Sequence, residues 1–132
     1  MKRTPRWVDK RALLLLHEES LATFGGARGL RDEGLLDSAL ACPVNLRAYD
    51  PNSALEDLAA AYGFEIARND PFIDGNKRAA FLATGLFLLM NGRRLNANPA
   101  DAVETIMTLA AGRLVESAYA EWIQSNSARA RP

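Results

Sequence analysis

The sequence predicts an all-α protein that folds as one domain. Apolar residues recur at helical spacing along most of the 132 residues, and capping residues, glycines and prolines separate the helical segments. Hydrophobic residues make up 48% of the chain, which is enough for a buried core in one domain of this length. We therefore expect residues 1–132 to form a compact helical bundle around a central apolar helix, with a loose tail from about residue 126.

Three helices are predicted in the first half of the chain. They are expected to cover Asp9–Phe24, Glu33–Ala41 and a third segment that ends near Asn69. Pro43 is expected to stop the second helix, because proline lacks the backbone N–H that a helix interior needs. Ser53 and Glu56 have the spacing of a capping box at the start of the third. The inward face of the first helix is predicted to carry Leu13, Leu16, His17, Leu21 and Phe24.

The second half of the chain predicts a central helix and two shorter ones. The segment KRAAFLATGLFLLMNG is polar for one turn and then apolar almost all round, as expected for a helix surrounded by other helices. At about 15 residues it is too short to span a bilayer. A brief extended stretch, RRLNA, leads to a helix with Asn98 as its cap and Pro99 in its first turn. The last helix is expected around residues 117–124, docked through Tyr119 and Trp122.

The charge balance excludes a broad binding surface for nucleic acid or for an anionic membrane. Lys and Arg number 16, Asp and Glu number 16, and the formal net charge at pH 7 is zero. No apolar signal-peptide core follows the basic N-terminal residues, so the chain is expected to be cytoplasmic. Cys42 is the only cysteine, which excludes an intramolecular disulfide and a thiolate metal cluster.

The loop before the central helix, DPFIDGNKR, has the features of a phosphate site. Backbone N–H groups of Gly75 and Asn76 are expected at the helix start, where they lack internal partners and the helix dipole favours anions. Lys77 and Arg78 in the first turn oppose that dipole, which indicates a bound polyanion, and Asp74 can hold Mg²⁺ against phosphate oxygens. The alternative, a turn that merely caps a helix, explains Asp74, Gly75 and Asn76 but leaves the two cations unexplained.

This loop resembles the signature of the Fic/Doc superfamily, HPFx(D/E)GN(G/K)R. The segment LHEESLATFGGARGLRDEGLLDSAL, from Leu16 to Leu40, is similar to the N-terminal part of Doc toxins. The resemblance implies a compact helical bundle that transfers part of a nucleotide to a protein hydroxyl. Most Fic enzymes transfer AMP, whereas Doc toxins transfer the ATP γ-phosphate to a translation elongation factor. The residue after the asparagine is held to decide between them, and Lys77 places the chain with the kinases.

The resemblance also implies residue roles, partners and a form of control. Asp74 would bind Mg²⁺; Gly75, Asn76, Lys77 and Arg78 would hold the phosphates of ATP and neutralise charge on the transferred group, with Arg68 as a further phosphate contact. An antitoxin would restrain the enzyme through a partly disordered C-terminal segment that folds as a helix in a groove. Its possible contact surfaces are the basic N-terminal residues and the stretch Val44–Asp50, which resembles a substrate-facing flap. Ser117 and Glu121 only partly match the inhibitory helix of other Fic enzymes.

Asp70 departs from the Fic/Doc signature. The family has a histidine there, which accepts the proton of the attacking hydroxyl, and a carboxylate is shorter and a much weaker base. Asp70 is kept as the catalytic candidate, but we expect little or no transfer. A deliberate change, a natural degenerate copy and a working variant all stay open, as do an adenylyltransferase and a chain that only binds antitoxin or nucleotide. His17 is interpreted as a buried, hydrogen-bonded structural residue.

Overall fold

The computed structural model describes residues 4–130, and the fold is mainly α-helical, as predicted. The elements in chain order are α1 Lys10–Phe24, α2 Glu33–Tyr49, α3 Leu55–Asn69, α4 Asn76–Met90, β1 Arg93–Leu95, α5 Pro99–Ala110, α6 Glu116–Ser125 and β2 Ser127–Arg129. Across this range, none of the helices combines the length and the apolar character that a membrane span requires. Lys2 and Arg3, two of the basic residues proposed as a contact surface, lie outside the described residues.

Helices α3 and α4 form the centre of the bundle. Small residues on both, among them Ala60 and Ala80, are fully buried and let the two backbones approach closely. Gly63 of α3 faces Thr84 of α4, and the Thr84 hydroxyl lies 2.8 Å from the hydroxyl of Tyr119. Tyr119 is fully buried, and Trp122 stacks on it with ring centroids 5.9 Å apart, so these two residues dock α6 as predicted. The central position of α4 agrees with its almost wholly apolar sequence.

Helix α2 is longer than predicted, because Pro43 does not stop it. The helix is 17 residues long and ends at Tyr49, and Pro43 is buried inside it. Leu46, one turn later, packs against the core, so the apolar contacts of the second half of α2 offset the backbone hydrogen bond that proline cannot donate. The stretch Val44–Asp50, which resembles a flap in sequence, therefore forms the last part of α2 and its C-terminal cap.

The predicted capping box is displaced by one residue. Helix α3 begins after Ala54, whose backbone N–H donates to the Asp57 carboxylate at 3.0 Å. Ser53 instead donates its hydroxyl to the carbonyl of Asp50 at 2.8 Å, which closes the turn before the helix. Only the carboxylate half of the box is formed, because alanine has no side-chain acceptor. The cap of α5 is as predicted: Asn98 Oδ1 accepts from the N–H of Ala100 at 2.9 Å.

Residues 127–129 form a short strand, where the sequence predicts a loose tail. Strand β2 pairs antiparallel with β1, placing Arg93 opposite Arg129 and Leu95 opposite Ser127. Pairing satisfies backbone groups of the RRL segment that would otherwise lie on an open strand edge. Residues 131–132 lie outside the described range.

Candidate active site

An open cleft of about 1180 Å³ runs along the N-terminal half of α4. One end, which we call the polar end, is formed by the 70–78 segment and by α1. The other end, which we call the apolar arm, is formed mainly by α4, α5 and the chain between β1 and α5. It is lined by Leu82, Leu95, Ala102, Val103, Ile106 and Met107. The sequence pointed to the polar end only, because the residues of the apolar arm look like ordinary core positions.

The loop at the polar end is fixed from inside the protein. The side-chain amide of Asn76 binds both backbone groups of Phe72: Oδ1 accepts from its N–H at 2.8 Å, and Nδ2 donates to its carbonyl at 2.9 Å. His17 donates from Nε2 to the carbonyl of Asp74 at 2.8 Å and stacks on Phe72 with centroids 3.8 Å apart. Because His17 is only 2% exposed, its predicted structural role is confirmed.

Asp74 presents an ionised carboxylate to the cleft. Its Oδ2 accepts from the N–H of Ala27 at 3.2 Å and its Oδ1 from the N–H of Gly75 at 2.8 Å. These two backbone hydrogen bonds hold the pKa of Asp74 below its ordinary value. The group fits Mg²⁺, a hard cation that prefers oxygen ligands and is often held by one carboxylate plus substrate phosphates. Residues 4–130 contain no cluster of three or more metal-binding side chains, so the protein alone would supply few ligands.

The two cations of the loop differ in their surroundings. Lys77 is exposed at the polar end, and none of the ion pairs found within residues 4–130 involves it. Arg78 instead donates from Nη2 to the carbonyl of Gly25 at 2.9 Å and from Nη1 to that of Ser20 at 3.3 Å. It also lies over the ring of Phe24 at 5.6 Å. Arg78 thus stabilises the C-terminal end of α1, where unpaired carbonyls favour a cation.

Arg31 is a residue of the cleft that the sequence did not identify. Its Nε donates to the carbonyl of Asp70 and its Nη2 to that of Asn69, both at 2.7 Å, and its side chain lines the polar end. A signal existed in GLRDEG: Asp32 caps α2 by accepting from the N–H of Leu35 at 3.1 Å. That cap indicates the turn in which Arg31 lies. It does not indicate the two carbonyls that Arg31 binds, which are 38 and 39 positions away along the chain.

The family model described as "Fic/DOC family" matches residues 7–88, which include the whole loop and most of α4. The chain belongs to the Fic/DOC family. It is 42% identical over 92 residues to "Toxin Doc" of Mycolicibacterium smegmatis, which covers 68% of this chain and 71% of that protein. It is also 27% identical over 119 residues to "Protein kinase doc" of Escherichia phage P1, which covers 90% of this chain and 94% of that protein.

The structure brings most of the residues expected from the Fic/DOC resemblance to the polar end. Those that line it are Asp70, Asp74, Gly75, Asn76, Lys77 and Arg78. Both polar atoms of the Asn76 side-chain amide are bound to Phe72, which leaves the backbone N–H of this residue as its donor toward the cleft. Arg78, expected to hold phosphate and neutralise charge on the transferred group, also donates to the carbonyls of Ser20 and Gly25. Phe24, expected in the core, is 73% exposed and lines the cleft.

Three other expectations drawn from the Fic/DOC resemblance fall outside the cleft. Arg68, expected as a further phosphate contact, lies over the ring of Phe64 at 5.4 Å and is not among the residues that line the cleft. Residues 44–50, expected to face the substrate, also do not line it. Ser117 and Glu121 are exposed on α6 and are likewise absent from its walls, which agrees with their incomplete match to an inhibitory helix.

The Asp74 carboxylate predicts a pH dependence of stability. Because folding lowers its pKa, ionisation stabilises the fold above the unfolded value of 3.8, and this contribution disappears as pH falls through the lower folded value. We expect Asp74→Asn to lower Tm slightly near neutral pH, with a gap that closes below about pH 4. The effect is small because the side chain is open to solvent. Thermal unfolding across this pH range checks it, with Glu121→Gln as an exposed control; a gap of constant size would contradict the assignment.

Proposed function

We propose that the chain is a Doc-type kinase toxin that transfers the γ-phosphate of ATP to a hydroxyl group of a bacterial translation elongation factor. Protein synthesis in the cytoplasm would stop as a result. The observation that carries this proposal is the preformed loop, with Asp74 and Lys77 open to one cleft in a Fic/DOC chain. Support for the reaction type comes from the phage P1 relative, which is named a protein kinase.

In this proposal the residues of the polar end bind and orient ATP. The first backbone N–H groups of α4 and the side chain of Lys77 receive phosphate oxygens, since both offer positive charge at the same helix end. Asp74 would hold Mg²⁺, which supplies charge that offsets the phosphate oxygens. Arg78 lines the same end while it fixes α1, so it adds charge from a constrained position. The side chains of His17 and Asn76 keep the loop in shape without touching the nucleotide.

The residue at position 70 would accept the proton of the attacking hydroxyl. Asp70 lines the cleft, but a carboxylate is a weak base and adds negative charge beside the phosphates. We therefore propose that the chain binds ATP and transfers its phosphate very slowly. Asp70 also favours a second candidate function, in which the chain only binds nucleotide or an antitoxin.

The apolar arm suits an antitoxin segment. Val103 and Met107 are 60% and 55% exposed, which is unusual for large apolar side chains that face one groove. An amphipathic helix formed by a partly disordered antitoxin tail could bury them, and it would lie next to the polar end. One of the two relatives is named a toxin and the other a protein kinase. Because no residue of α6 lines the cleft, restraint by a separate chain agrees with the structure better than restraint by α6.

The test compares the chain with its Asp70→His variant, each mixed with Mg²⁺, a bacterial extract and ATP labelled on either the α- or the γ-phosphate. We expect label to reach a protein from the γ position only, and chiefly with the histidine variant. Transfer from the α position would make the protein an adenylyltransferase and contradict the role given to Lys77. If neither protein transfers label while both bind ATP, the binding-only function replaces the kinase.

A further inference from the structure

The guanidinium group of Arg31 lies at the C-terminal end of α3. It donates to the last carbonyl of the helix, that of Asn69, and to the next one, that of Asp70, with both distances 2.7 Å. Helix ends leave such carbonyls without internal partners, and the helix dipole favours a cation there. A third bond comes from the backbone N–H of Arg31, which donates to the carbonyl of Pro71 at 2.8 Å. Residue 31 therefore binds three consecutive carbonyls, those of the last residue of α3 and of the first two residues after it.

These bonds control the backbone on both sides of residue 70. The carbonyl of Asn69 belongs to the peptide plane before the Cα of Asp70, and the carbonyl of Asp70 belongs to the plane after it. Fixing both planes fixes the φ and ψ angles of Asp70, and hence the direction in which its Cβ points. The angles are φ 46° and ψ 58°, a left-handed conformation that no other non-glycine residue within 4–130 adopts. Such a conformation persists only when neighbouring groups hold it.

We infer that Arg31 is the positioning residue for the side chain at position 70, acting on it through the backbone. The inference rests on the proposed function, in which that side chain accepts the proton of the attacking hydroxyl. Arg31 acts on the rate of transfer through this geometry, because two of its side-chain nitrogens are already bound to carbonyls. A lysine cannot replace it, since one ammonium group does not present the planar pair of donors that binds two carbonyls together.

The kinetic test uses Arg31→Gln and Arg31→Lys in the Asp70→His protein. Both variants are expected to lower kcat on the order of 10²-fold, the effect of a small misplacement of a catalytic group. KM and Kd for ATP should stay within about twofold, as expected when ground-state binding is unchanged. The matched control is Arg28→Gln, which removes an arginine from the same segment but breaks only a surface pair with Glu18 at 2.7 Å. An unchanged kcat, or a tenfold higher KM with kcat intact, would overturn the inference, the latter by making Arg31 a nucleotide contact.

A second readout does not depend on activity. The chain with Asp70 has one histidine, so the Asp70→His protein has two imidazole groups, and NMR can follow each. Loss of the Arg31 side chain should move the signals of the imidazole at position 70 and leave those of His17 in place. Unmoved signals at position 70 would contradict the inference, and so would equal movement of both histidines, which would show a general loosening of the loop. This measurement remains decisive if the Asp70→His protein transfers nothing and the kinase function fails.

Discussion

Replacing Asp70 by histidine is expected to raise the rate of γ-phosphate transfer by about 10²–10⁴-fold, the usual contribution of a well-placed general base. The position already faces the cleft, and its left-handed backbone conformation is one that histidine tolerates better than most residues do. Imidazole reaches further than a carboxylate and titrates near the working pH, so it can take up the proton as the hydroxyl attacks. Single-turnover transfer from labelled ATP measures the rate in both proteins.

Two controls separate basicity from the removal of charge. Asp70→Asn removes the negative charge without adding a base, and it should not reproduce the gain. Adding Asp74→Asn to the histidine variant should abolish most transfer while the fold persists, because the proposed Mg²⁺ ligand is lost. Equal rates for the asparagine and histidine variants would mean that the carboxylate charge, and not the missing base, limits transfer in the protein with Asp70.

Gly63→Ala is expected to give the largest loss of stability, about 1–3 kcal/mol, as is usual for overpacking a tight core. A Cβ at this position would lie 2.5 Å from Thr84 Oγ1 and 2.8 Å from Tyr119 Cε2. The Thr84 hydroxyl donates to the carbonyl of Ala80 at 2.9 Å and lies 2.8 Å from the Tyr119 hydroxyl, so it cannot move without breaking a buried contact. Urea-induced unfolding measures the free-energy change.

The chain offers a matched control in Gly85, which is also helical. A Cβ there meets nothing within 4 Å, and alanine is the better helix former. Gly85→Ala should therefore stabilise the protein by about 0.5–1 kcal/mol. If both alanine variants stabilise the fold, α3, α4 and α6 do not pack as closely as described.

Capping residues and apolar runs predicted the helices correctly where no contact with a distant part of the chain changed their length or bounds. Asn98 and Pro99 mark the start of α5, and the apolar run of α4 marks the centre of the bundle. The prediction that α2 ends at Pro43 was wrong, because the cost of proline to a helix is local, whereas the packing of Leu46 that offsets it comes from the rest of the fold. The prediction of a loose tail failed at residues 127–129 for the same reason, since this strand forms only when β1 lies beside it.

The candidate site divides in the same way. The sequence alone determined the family, the position of the loop, Asp74 as the candidate Mg²⁺ ligand, and the replacement of the signature histidine by Asp70. These features depend on residue type and close spacing. Only the tertiary structure showed that Arg31 donates to the carbonyls of Asn69 and Asp70, and that Arg78 donates to the carbonyl of Gly25. It alone also showed that the residues of the apolar arm line the cleft. The partners of these two arginines are 38, 39 and 53 positions away along the chain. Hydrogen bonds over such separations depend on how helices pack, and residue spacing along one helix carries no record of that.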